Sequence, residues 1–186
     1  MRSSVMCSGY SRIGDIANIS WPRVSLAVTV MLLIAVSSRP HAAGSASANL
    51  SVSAAVANNC TIATSPLAFG TYDPVVANAS NNLDATGTVT VACTKGATAT
   101  IGLGLGSNAS GNTRRMTDGS SNFLTYEMYQ DSSRSTIWGN AGAELLTPSA
   151  APSKSSRDFT VYGRIPSNQD VPAGSYADTV TATVNF

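Results

Sequence analysis

Apolar and polar residues alternate one for one at two places in this chain, and that alternation constrains its fold most tightly. In SASANLSVSAAVANNC (Ser45–Cys60) the even positions Ala46, Ala48, Leu50, Val52, Ala54 and Val56 are apolar; the odd positions 47 to 55 are Ser or Asn, except Ala55. In GSYADTVTATVNF (Gly174–Phe186), Tyr176, Val180, Ala182, Val184 and Phe186 share one parity, and Thr179, Thr181, Thr183 and Asn185 the other. A period of two sends the two sets to opposite faces of an extended strand, one for a core and one for water. Asp178 breaks the apolar parity, so we expect it to hydrogen-bond backbone at a sheet end or to lie outside the core. Strand ends usually fray. An apolar Phe186 at the last position therefore leads us to expect neighbours on both sides of this strand.

Between these segments the sequence reads as further short strands and contains no amphipathic helical stretch of useful length. The runs are CTIA (Cys60–Ala63), PLAFGTY (Pro66–Tyr72), GTVTVACT (Gly87–Thr94), ATATIGLGLG (Ala97–Gly106), FLTYEMYQ (Phe123–Gln130), STIWG (Ser135–Gly139) and RDFTVYGRI (Arg157–Ile165). Asp73-Pro74, Lys95-Gly96, Ser110-Gly111, Asp118-Gly119 and Pro148, Pro152, Pro166 and Pro172 punctuate them as turns. Many short strands so spaced predict an antiparallel β-sandwich. Charged residues are 11% of the chain, against about 25% in an ordinary soluble protein. Small polar residues and valines take their place, which suits hydrogen-bonded extended structure.

The N-terminus reads as a secretory signal. VSLAVTVMLLIAV (Val24–Val36) is an uncharged apolar run, too short to span a membrane as a helix and of the right length for a signal core. Arg2, Arg12 and Arg23 precede it and small residues follow. Cleavage after Ala43, Ala46 or Ala48 is open; Ala43 is favoured because it leaves the alternating segment whole. Removing residues 1–43 takes away Arg2, Arg12, Arg23, Arg39 and Asp15, leaving a mildly acidic chain with no basic patch. Nucleic acid is therefore not an expected partner. Of the three cysteines, Cys7 leaves with the signal. Cys60 and Cys93 remain, and an even pair in an exported chain reads as a disulfide. Closing that loop contributes roughly 3–4 kcal/mol by chain entropy.

The single histidine, His41, also precedes Ala43. Ser–His and Cys–His nucleophilic machinery is thereby excluded from the mature chain, and two cysteines without histidine make no metal-ligand set. We expect no catalytic residue, metal or cofactor. Most of the carboxylates sit in turn contexts, and none lies in a catalytic acid–base motif. GLGLG (Gly102–Gly106) lacks the helix start that a phosphate loop needs; it reads as a strand whose glycines leave room for close neighbours. TRRM (Thr113–Met116) reads as a solvated hairpin, with anion binding as the alternative. Trp138, Tyr126, Tyr129, Tyr162 and Tyr176 lie in strand patterns, so packing is their expected role.

Taken in order, NNCTI (Asn58–Ile62), SPLAFGTYDP (Ser65–Pro74), GTVTVACTKGA (Gly87–Ala97), RRM (Arg114–Met116), LTYEMYQD (Leu124–Asp131), IWG (Ile137–Gly139) and VYGRIPSNQDVPAGSYADTVTATVNF (Val161–Phe186) resemble the spore coat protein U domain. That family includes subunits of archaic chaperone–usher pili. The resemblance implies an immunoglobulin-like sandwich lacking one strand, residues 58–186, completed by a donor strand from another chain. It implies export to the periplasm, a periplasmic chaperone, an outer-membrane usher, and a surface fibre of like or related subunits serving attachment and biofilm formation. Residues 44–57 become the donor strand, with Ala48, Leu50, Val52, Ala54 and Val56 as plugs; Val180, Ala182, Val184 and Phe186 become the groove edge. A strand that completed its own sandwich would show the same alternation, so the donor role is carried by the family. A spore coat component of the same family and a secreted carbohydrate-binding module are the alternative readings.

Overall fold

The computed structural model describes residues 43–186; the predicted signal, apart from its last residue, lies outside the described residues. Seven strands follow in order: β1 (Cys60–Ser65), β2 (Leu83–Cys93), β3 (Thr100–Leu103), β4 (Arg114–Thr117), β5 (Phe123–Tyr129), β6 (Arg157–Ile165) and β7 (Ala182–Asn185). A single 3-10 turn, Gly142–Glu144, is the one helical element among the described residues. β1, β2, β6, β5 and β4 form one sheet in that spatial order, and β3 and β7 form a second. Every pairing is antiparallel.

The alternation read from the sequence drives this assembly. In β2, Val89, Val91 and Cys93 are buried while Thr88 and Thr90 face outward. In β5, Leu124, Tyr126 and Met128 are buried; in β6, Val161, Gly163 and Ile165. Ile101 and Leu103 of the second sheet join these residues in one core. Fully burying a valine such as Val89 or Val91 contributes roughly 1.5–3 kcal/mol, and both are about 1% exposed. The expected disulfide joins Cys60 to Cys93, residues opposite each other in the β1–β2 register, across a separation of 33 residues.

Four expectations are corrected. Pro66–Tyr72 forms no strand; Leu67 and Phe69 instead fold over the sheet where Gly163 bares it. A Cβ on Gly163 would lie 2.7 Å from Leu67 Cδ2 and 2.8 Å from Phe69 Cζ. Ser135–Gly139 gives one bridge, Tyr129 to Ile137, rather than a strand, because the Asp131 carboxylate draws the loop tight by accepting from Thr136 N (2.7 Å) and Ser135 N. The C-terminal strand is shorter than its alternation, only Ala182–Asn185, and pairs on one side, with β3. Phe186 follows it, 55% exposed. Finally, TRRM is no solvated hairpin. It holds β4, and Arg114 is 1% exposed in the core.

Candidate strand-accepting groove

The two sheets meet closely on one side and stand apart on the other. On the closed side, Arg114 is the fastener. Its guanidinium donates to Leu103 O (2.8 Å), Trp138 O (2.8 Å) and Gly104 O (3.0 Å), and pairs with Glu127. Trp138, fully buried, donates its indole N–H to Ile101 O at 2.9 Å. A buried guanidinium needs its donors satisfied. Here two acceptors, Leu103 O and Gly104 O, are carbonyls at the end of β3, and the third, Trp138 O, lies in the loop after β5, so satisfying the charge ties the second sheet to β4 and β5. The glycines of GLGLG permit the approach: a Cβ on Gly102 would lie 3.1 Å from Asn140 Cα and 3.0 Å from Leu145 Cδ2.

On the other side a cleft opens between the segment after β1 and the segment before β7. It comprises a cavity of about 410 Å³ and one of about 610 Å³. Leu67, Phe69, Met116 and Tyr176 belong to the walls of both, so the two adjoin. The floor is apolar, with Val89, Val161, Met128 and Leu103. Both banks carry unused backbone. Among the described residues, no backbone–backbone hydrogen bond engages Leu67 to Thr71, and none engages Val180. Thr179 O and Thr181 O, by contrast, accept from Ser107 N (3.1 Å) and Gly104 N (2.9 Å) on the β3 side. Backbone groups that line an apolar cleft without partners are an invitation to an added strand.

One charged group enters this cleft. Asp178 faces it, as its parity requires, and is satisfied there. Its carboxylate accepts from Tyr126 Oη (2.7 Å), Asn108 Nδ2 (2.9 Å) and Asn108 N (3.1 Å). The expected backbone hydrogen bond is thus found. Burial, and then the bond to Asp178, push the Tyr126 hydroxyl well above the ordinary tyrosine range. Gly106 is obligatory beside it: φ is +90°, and a Cβ would fall 1.9 Å from Asp178 Oδ2.

The sequence-named residues divide between cleft and water. Val180 and Ala182 line the smaller cavity. Val184 packs on the core beyond it, and Phe186 lies outside β7. Residues 43–59 lie in no strand and Ala48 and Ala54 are exposed; Leu50, Val52 and Val56 are 87%, 85% and 86% exposed. Sequence reasoning did not assign the wall residues Leu67, Phe69 and Met116 to a groove, and it read Tyr126, which also lines it, as packing only. The one hint was Leu67 and Phe69 flanking Ala68, read as a strand rather than as a wall.

The architecture defines a class: an immunoglobulin-like antiparallel sandwich with one strand position open. Residues 46–183 match the Spore Coat Protein U domain, and the chain belongs to that family. It is similar to Protein U of Myxococcus xanthus, 38% identical over an alignment of 168 residues covering 79% of this chain and 88% of that protein. Its fold is similar to a chain in the crystal structure of the CsuC–CsuE chaperone–tip adhesion subunit pre-assembly complex, from the archaic chaperone–usher Csu pili of Acinetobacter baumannii. The TM-score is 0.54 at 22% identity, covering 70% of this chain and 40% of that one. The described chain therefore corresponds to less than half the length of that solved chain.

Proposed function

We propose that the chain is a non-enzymatic structural subunit of an exported surface fibre, polymerised by donor-strand exchange. Residues 1–43 direct export to the periplasm and are removed. Residues 44–57 form the donor strand and residues 58–186 the accepting sandwich. Ala48, Leu50, Val52, Ala54 and Val56 of one copy enter the cleft of the next, between the segment after β1 and the edge led by Val180 and Ala182. Main-chain hydrogen bonds supply affinity, and alternate side chains supply register. Each Val or Leu buried contributes roughly 1.5–3 kcal/mol. Before assembly a periplasmic chaperone covers the cleft, and an outer-membrane usher directs the exchange. Attachment and biofilm formation are the roles of the finished fibre.

One observation carries the reading: an apolar cleft with unpaired backbone on both banks coexists, in one chain, with an exposed alternating segment in no strand. The test is deletion of residues 44–56. We expect a folded, exported domain that accepts a synthetic 44–57 strand yet forms no fibres by electron microscopy. Persistent fibres would remove the donor assignment. Val52→Asp should block polymerisation similarly, at little cost to the fold, since Val52 stands in water. The resemblance to Protein U over most of its length favours a second reading, a coat built from the same subunit by the same exchange. A chaperone gene and an usher gene beside this one would decide for the pilus.

A further inference from the structure

Two valines stand in water on a turn built to hold them there. Val75 and Val76 are 81% and 75% exposed. Asp73 Oδ1 accepts from both their N–H groups, at 2.9 and 3.1 Å. Buried Asn78 closes the turn: its Oδ1 accepts from Asp73 N (2.9 Å), its N donates to Asp73 O (2.7 Å), and its Nδ2 donates to Asn81 O (3.0 Å). Asn168 N in turn donates to Asn78 O at 2.9 Å. A lone exposed apolar residue needs no explanation. An adjacent pair braced this firmly, with two backbone N–H groups already satisfied, is a presented surface.

Its position follows from strand register. β1 pairs with β2 from Cys60–Cys93 to Ser65–Thr88, and β2 pairs with β6 from Val91–Arg157 to Leu83–Ile165. Cys60, Cys93 and Arg157 therefore mark one pole of the sheet, and Leu83 and Ile165 the other. The N-terminal segment departs from the first pole, where Thr94 Oγ1 accepts from Asn59 N (3.1 Å) and donates to Ala57 O (3.3 Å). The valine turn belongs to the second. There Tyr72 Oη donates to Pro166 O (3.0 Å), Ser167 N donates to Asn82 Oδ1 (2.9 Å), and Pro74 stands in the wall of the larger cavity.

The next step rests on the groove being filled by a second copy. If the donor's Val56 end left the groove at the first pole, two neighbours would crowd that pole of every copy. Exit at the second pole uses each pole once and lets the assembly repeat head to tail. Only Ala57, Asn58 and Asn59 separate Val56 from Cys60, a reach of at most about 14 Å. The donor's first pole must then lie against the groove mouth at Pro74, beside the two valines.

We propose that Val75 and Val76 form a second contact between successive copies, packing against the Ala57–Cys60 root of the copy whose strand fills the groove. The experiment follows maleimide labelling of Val75→Cys and of Val76→Cys in the full exported chain, as monomer and as assembled fibre. Thr86→Cys, on the outward face of β2, is the reference. We expect both turn positions to react about tenfold or more slowly in the fibre than in the monomer, as burial in a stable contact requires, while the reference is unchanged. Fibres whose turn cysteines react as fast as in the monomer would overturn this contact and leave the groove reading intact. No fibres from the reference variant would overturn the groove reading, and the contact with it.

Discussion

The two sides of the sandwich are finished in opposite ways. The side at β3 and β4 is sealed from within: Arg114 spends its donors on carbonyls of the facing layer, and Trp138 fills the space beneath. The side at β7 is left open, with Leu67, Phe69 and Tyr176 around a cleft that no described strand fills. A sandwich that lacks a strand loses pairing and apolar burial along one whole edge. The difference teaches that the deficit is confined by making the other edge unusually firm. The sealed side should carry stability, and the open side should carry assembly.

Arg114→Ala should break that division most severely. It removes a buried charge and leaves Glu127 and three carbonyls of the seam without their partner. Removing one partner of a buried ion pair costs roughly 3–5 kcal/mol, so urea unfolding of the monomer should shift to much lower denaturant or the domain should fail to accumulate. An Arg114→Ala variant as stable as the parent would show that the seam is held by packing alone.

Cys93→Ser acts on the open side, because the disulfide fastens β1, whose continuation forms one bank of the cleft. Releasing a native disulfide typically costs roughly 2–5 kcal/mol. We expect lower yield under oxidising conditions, and weaker binding of an added 44–57 strand than the stability loss alone predicts. Equal stability of the serine variant and the oxidised parent would take the disulfide out of the account.

Strands were legible wherever alternation met burial on one face. β6 coincides with the run read from the sequence, β3 and β5 lie within theirs, β1 extends two residues past its run, and β2 overlaps its run but starts four residues earlier. β4 was missed because its two adjacent arginines read as surface. Charge is normally excluded from a core, and only the ring of carbonyls around Arg114, assembled from residues 103, 104 and 138, makes the burial tolerable. No local pattern announces a ring gathered from distant segments. The cleft was likewise legible in part. Parity put Val180 and Ala182 on the apolar face and the family resemblance put them at the groove edge, but Leu67 and Phe69 became walls because Gly87 and Gly163 leave the sheet bare beneath them, a matter of tertiary contact. Asn78 and Asn108, which match glycosylation sequons, are engaged in turn and groove hydrogen bonds instead.

Tyr126→Phe sharpens the comparison at the floor of the cleft. The change removes the hydroxyl donor and leaves Asp178 with both Asn108 bonds. Net loss of one such hydrogen bond costs about 1 kcal/mol, measurable by denaturant unfolding. The larger consequence should be looseness of the bank carrying Val180, seen as faster amide exchange of residues 177–181. Unchanged exchange there would mean that the backbone bonds to the β3 side and between Ala177 and Thr117 of β4 fix that bank without the hydroxyl.

The smallest effect is expected away from both sides, on the outward face of the large sheet. Asp84 accepts two bonds from Arg164 at 2.8 Å each and lies 3.3 Å from Arg134. The Arg164 bond, opposed by burial and aided by the charge of Arg134, holds its carboxyl below the ordinary aspartate range. A depressed folded pKa makes this contribution fully present above the unfolded value of about 3.9. It is lost as pH falls through the folded value, because the unfolded chain then binds the proton more readily. The group is 36% exposed, so solvent screening limits the pair to about 1 kcal/mol or less. Asp84→Asn should therefore lower stability slightly at pH 7 and flatten the acid limb of a stability–pH curve below about pH 4. Arg114 presents the contrast. Its partners are mostly carbonyls that do not titrate, so the sealed side should hold its strength over the same acid range in which the outer face loses its own. A steep acid loss that survives Asp84→Asn would move the acid-sensitive carboxylates to the turns, where hydrogen bonds to Val76 and Val75, to Asn122 and Ser120, and to Ser133 and Thr136 hold Asp73, Asp118 and Asp131 below the ordinary aspartate range.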